Sequence, residues 1–148
     1  MHADSGAVLA FDFGARRIGV AVGDLAIGIA HPLERIAFED NRRRFEVIAR
    51  LVREWQPVRL VVGTPSASAD HPVAIQVQRF AQRLRSRFLL PVDLVDEHLS
   101  SWETSRELSR AGVRATDQKR DIDRLAACVI LESWFETRRA SAVIAQRR

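Results

Sequence analysis

Three carboxylates stand where an acid is locally out of place: Asp12, Glu97 and Asp123. Asp12 interrupts the apolar run Ala7–Phe13, where aspartate is depleted and an unpaired buried ion is costly. Glu97 closes, with Asp96, the apolar stretch that begins at Val92. Asp123 lies beside Ile122, on the margin of an apolar helical stripe. If the chain brings them together, the three repel one another unless a cation sits between them. Hard oxygen donors without a histidine and cysteine cluster suit Mg2+ or Mn2+ rather than zinc. Two such ions about 3.5–4 Å apart activate a water and stabilise the leaving oxygen of a phosphodiester. Singly, each acid has a plainer reading: Asp12 a turn cap, Glu97 a loop charge, Asp123 a favourable anion near a helix start.

The elements that would carry these acids are legible in outline. Ala7–Phe13 and Ile18–Val22 are apolar runs flanking a turn with Gly14, Arg16 and Arg17, the pattern of a β-hairpin in which Gly14 supplies the backbone freedom of the bend. Alternation puts Val8, Ala10 and Asp12 on one face and Leu9, Phe11 and Phe13 on the other. In the second run Gly19, Ala21 and Gly23 form a face with almost no bulk, suited to close approach of a helix or ligand. Pro32–Ile36 is expected as a third short strand. A helix from Asn41 carries Phe45, Ile48, Leu51, Val52 and Trp55 on its stripe, with Arg42, Arg43, Arg44, Arg50 and Arg53 mostly off it as a solvated basic face. Pro57 stops that helix.

Arg59–Gly63 is the next strand, and a small polar loop follows it. A helix from about Pro72 buries Val73, Val77, Phe80, Ala81, Leu84 and Phe88; Val92–Val95 is the next strand. Ser100 and Glu103 form a capping-box pattern for a helix to Ala111. Arg114–Arg120 reads as a polar connector, and the last helix spans about Gln118–Thr137. A meander followed by strand–helix alternation gives an α/β fold, with a mixed five-stranded sheet and helices on both faces. Glu97 then falls at the carboxyl edge of the parallel strands, where sites form in such sheets.

The 148 residues, 47% hydrophobic and 28% charged, fit one globular domain over residues 7–137, between a disordered segment 1–6 and a basic tail 138–148. The apolar runs are too short to span a membrane, the amino terminus lacks a signal-peptide design, and the lone Cys128 excludes an internal disulfide. A cytoplasmic protein is expected. A net charge of +4 and a pI near 10.7 favour an anionic partner. The basic residues are 22 arginines and one lysine, Lys119; arginine's planar fork suits phosphate.

Four segments carry a resemblance. Asp12–Ala21, Val61–Pro65, Val95–Ser101 and Lys119–Ala127 resemble, in order, the motifs of the YqgF family, also called RuvX, of Holliday junction resolvases. The resemblance implies an RNase H-like fold and a metal-dependent nuclease of the bacterial cytoplasm. It implies 5′-end processing of precursor 16S rRNA, cleavage of branched DNA, or both. It also implies Asp12, Glu97 and Asp123 as the catalytic, metal-binding triad. Arg16, Arg17, His98, Lys119 and Arg120 are then candidate contacts to a nucleic-acid substrate, and a homodimer is left open.

Two departures stand out: the family usually has arginine where this chain has His98, and the loop after Pro65 lacks the usual asparagine and glycine turn. Imidazole at position 98 would make a phosphate contact pH-dependent. Two other classes compete with the nuclease reading. One is an actin or sugar-kinase type phosphotransfer module, which would need a second domain that this length does not supply. The other is a non-catalytic nucleic-acid-binding protein, against which the three intact acids argue.

Overall fold

The computed structural model describes residues 5–14, 16–37, 40–64, 72–96 and 115–146, with side chains of the last helix covering 124–142. In chain order these form β1 (Ala7–Phe13), β2 (Arg17–Asp24), β3 (Ala30–Ala37), α1 (Asn41–Trp55), β4 (Arg59–Thr64), α2 (Pro72–Phe88), β5 (Val92–Asp96) and α3 (Ala115–Gln146). The strands make one five-stranded sheet in the order β3-β2-β1-β4-β5. The first three strands are antiparallel, and β1, β4 and β5 run parallel. This is the mixed sheet that the element order implies, with β1 at its centre.

Strand alternation divides the core in two. Leu9, Phe11, Ile18, Val20, Leu60 and Val62 face α1 and α2, meeting Phe45, Ile48, Leu51, Val77, Phe80 and Leu84. Val8, Ala10, Ala21 and Val61 face α3, meeting Ala127, Ile130, Leu131, Trp134 and Phe135. Small residues on the second face let α3 lie close. A Cβ added at Gly23 would stand 2.9 Å from the Phe135 ring, so the occupant of the bare face is this helix.

Several local expectations need correction. Gly14 is required less for its dihedral freedom than for space, because a Cβ there would meet the Arg17 carbonyl oxygen at 2.7 Å. β3 begins at Ala30, and its pairing slips between Val20 and Ala21, so the strand is longer than Pro32–Ile36 and bulged. On α1, capped by the Asp40 side chain on the Arg43 amide, Arg44 is buried rather than solvated. Trp55, the last residue of α1, is 42% exposed and borders an open cavity beside Ala7, Val22 and Leu33 rather than joining the closed core. Residues 115–120 belong to α3 rather than to a connector, and α3 continues nine residues past Thr137. Ser5 and Gly6 are placed, the Gly6 carbonyl accepting from the Leu25 amide. The helix expected over Ser100–Ala111 lies outside the described residues.

Candidate active site

Asp12 is the penultimate residue of β1, half-buried, on the face that α3 covers. Its partner across the antiparallel pair is Gly19. On the other side β1 pairs with β4 up to Phe11 against Val62. Extending that register by one residue sets Asp12 beside Gly63, which itself pairs with Val95 of β5. Asp12 therefore has a residue without a side chain on each neighbouring strand. Neither of these neighbours adds side-chain bulk beside the Asp12 carboxylate.

α3 crosses this face antiparallel to β1. Its register is fixed at the far end of the sheet. The Trp134 indole donates to Asp93 Oδ2 at 2.8 Å, and Arg59 Nη1 donates to the same oxygen at 3.0 Å. Phe135 packs on Gly23, which pairs with Val8. From Phe135 back to Asp123 the helix rises about 18 Å. From Val8 to Asp12 the strand advances about 13 Å. The α3 backbone thus carries Asp123, with Lys119 and Arg120 a turn or so farther on, toward the end of the sheet where Asp12 stands. Glu97 and His98 directly follow β5 in sequence and lie outside the described residues. Among the described residues, no three acidic, histidine or cysteine side chains are grouped closely enough to share an ion.

Arg16 is exposed in the β1–β2 turn, and Arg17 opens β2 half-buried. Cys128 is a buried core residue whose thiol is pushed up to about 12, chiefly by burial and then by the charge of Glu132. The residue that sequence reasoning missed is Arg44. It is 6% exposed, and burial, followed by the nearby charge of Arg83, lowers its pKa from the ordinary guanidinium value. A signal was present: Arg44 precedes Ile48 by four residues, which places it on the apolar stripe.

Residues 6–137 match the RuvX family, described as Holliday junction resolvases. The chain belongs to this family. RuvX relatives described as candidate pre-16S rRNA nucleases include one from Methylobacillus flagellatus, 50% identical over 133 residues, covering 88% of this chain and 91% of its own. Another, from Chromobacterium violaceum, is 50% identical over 131 residues, covering 86% and 96% respectively. In three dimensions the chain is similar to Thermus thermophilus RuvC in a complex with a Holliday junction substrate. The TM-score is 0.54 at 16% identity, over 90% of this chain and 95% of that one, a likeness of RNase H-like fold. As a RuvX member the chain is a nuclease, a hydrolase of phosphodiester bonds. The phosphotransfer and non-catalytic readings give way to this one. Among the described residues no helix is long and apolar enough to cross a membrane.

Proposed function

We propose that this protein is a divalent-metal-dependent endonuclease of the cytoplasm, acting through one domain over residues 7–137. Its proposed substrates are the 5′ region of precursor 16S rRNA, branched DNA, or both. The observation that carries the reading is Asp12 at the open end of β1, flanked by Gly19 and Gly63, at the end of the sheet toward which α3 carries Asp123. Asp12, Glu97 and Asp123 would hold Mg2+ or Mn2+, and the all-carboxylate donor set fits a hard cation. When bound, such ions lower the pKa of a coordinated water and neutralise charge on the leaving oxygen.

The chain's own contribution is positioning. Asp12 is paired with Gly19 of β2 and stands one residue beyond the last β1–β4 pair, Phe11 with Val62, so the strand holds its backbone in place beside the substrate. Arg16, Arg17, Lys119 and Arg120 supply cationic contacts that hold phosphates beside it, with His98 a further contact. Hydrolysis forms a bond from water oxygen to phosphorus as the bond from phosphorus to the departing alcohol breaks.

The test is incubation of the purified chain with a precursor 16S rRNA fragment and with a four-way DNA junction, each with Mg2+, Mn2+ or chelator. Cleavage of at least one substrate, with either ion and never in chelator, is expected. Equal cleavage in chelator, or none of either substrate with both ions, would overturn the proposal.

A further inference from the structure

A second feature shares the end of β1 but opens on the opposite face. Phe13 follows Asp12, so its side chain points to the α1 and α2 side. There it forms one wall of a cavity of about 270 Å³, closed by Phe80 and lined by Arg44, Arg79, Arg83 and Gln76. Three guanidinium groups thus converge on one space, and no carboxylate is among the residues described around it.

This concentration of charge works against folding. Arg79 and Arg83 lie one turn apart on α2, an arrangement that repels on a helix surface. Arg83 also acts on the buried Arg44, whose guanidinium lies 5.1 Å from the Phe13 ring centre and donates to the Gly14 carbonyl at 3.4 Å. On α1, by contrast, Arg50 is paired with Glu34 and Glu54, and Arg42 with Glu46. The guanidinium groups of Arg79 and Arg83 make no hydrogen bond or ion pair among the described residues. A like-charged cluster kept beside a functional end is a sign of a site selected for binding at the expense of stability. Guanidinium forks recognise phosphate oxygens, and the half-buried Phe13 ring offers an apolar surface for a sugar or base.

We infer that the cavity bounded by Phe13, Arg44, Arg79 and Arg83 is a second phosphate subsite, taking one nucleotide of the bound strand away from the bond that is cut. It rests on the nucleic-acid reading above and adds a path for the strand. From Asp12 the chain of nucleotides passes over the end of β1 to the α1 and α2 face. The shared chemistry, a phosphate with its nucleoside, could also come from a free nucleotide, and the experiment separates the two.

The assay is binding of a labelled single-stranded RNA from the precursor 16S 5′ region, measured by fluorescence anisotropy in chelator so that no cleavage intervenes. Arg79→Ala/Arg83→Ala should raise Kd about tenfold at moderate salt. It should also lower the slope of log affinity against log salt by about 0.7 for each phosphate no longer neutralised. Arg53→Ala, an exposed α1 arginine outside the cavity, should stay within twofold of wild type. In cleavage assays KM should rise while kcat is unchanged. Both replaced side chains are exposed, and relief of the pressure on Arg44 should leave the melting temperature equal or higher.

An unchanged Kd and slope in the double variant would overturn the subsite. So would adenosine monophosphate or inorganic phosphate binding there without competing with the RNA, which would assign the cavity to a free ligand. Failure of wild type to bind any nucleic acid would overturn the nuclease reading as well. Wild-type binding indifferent to the double variant would overturn the subsite alone.

Discussion

Gly23→Ala tests how the α3 helix is seated, and through it how Asp123 is brought to its end of the sheet. The new methyl would lie 2.8 Å from the Ile29 carbonyl oxygen and 2.9 Å from Phe135 Cε2. Carbon atoms settle about 3.5–4.0 Å apart, so the ring must retreat by at least roughly 0.6 Å. Phe135 is 3% exposed and packed against Trp134 at 5.5 Å between ring centres, so it cannot swing into solvent without moving the helix. Overpacking of this kind costs about 1–3 kcal/mol. At about 2–4 °C per kcal/mol for a chain of this size, melting should fall by roughly 4–8 °C at the middle of that range. A helix displaced by half an ångström also misplaces Asp123, and a misplacement of about 1 Å can cost a hundredfold in rate, so about a tenfold loss of cleavage is expected.

The assay is thermal melting and single-turnover cleavage of wild type, Gly23→Ala, Phe135→Leu and the double variant. Phe135→Leu removes the ring edge that the methyl strikes, so the two changes should cost less together than the sum of each alone. The clash with Ile29 remains, so rescue is partial. A Gly23→Ala protein that melts within a degree of wild type and cleaves normally would refute the account of how α3 is seated.

Three further outcomes follow from the same structure. Asp93→Leu strips the shared acceptor from Trp134 and Arg59 and should cost about 1 kcal/mol, discounted for Asp93's partial exposure, while Asp93→Asn keeps one acceptor and should cost less in denaturant unfolding. Cys128, with a folded-state thiol pushed up to about 12 from an ordinary 9.0, holds its proton more tightly folded than unfolded; stability is therefore full below pH 9 and lost as pH rises toward 12. In a chain with no tyrosine and one lysine, Cys128→Val should visibly flatten that decline, and an unchanged decline would contradict the assignment. Arg16→Ala/Arg17→Ala should reduce the salt slope of RNA binding by about 0.7 for each phosphate left without its cation, whereas an equal slope would make the turn arginines ordinary surface charge.

What the sequence could tell follows the reach of each signal. Alternation along β1 separated Asp12 from Phe13, and the bare face Gly19, Ala21 and Gly23 announced a close neighbour, because both are local patterns of side-chain size and polarity. Which element would fill that face is a long-range property, and only the packing of α3 answers it. The sheet order that sets Gly63 beside Asp12 is likewise absent from any single segment. At Arg44 spacing outweighs charge: four residues before Ile48, it falls on the apolar stripe and is buried. The ends of α3 are less legible, because residues 115–120 carry no apolar side chain beyond Ala115 and residues 138–142 open on two arginines followed by small residues.

The most direct trial of the account is single-turnover cleavage of a labelled precursor 16S rRNA fragment or four-way junction, whichever wild type cuts. Wild type should be compared with Asp12→Asn, Glu97→Gln and Asp123→Asn in Mg2+ and in Mn2+. Each variant keeps the shape of the side chain and withdraws one anionic oxygen ligand. All three should lose measurable cleavage with both ions while melting in chelator at or above the wild-type temperature. Near wild-type cleavage by any one of them would remove that residue from the site, and by Asp12→Asn would contradict the account at its centre.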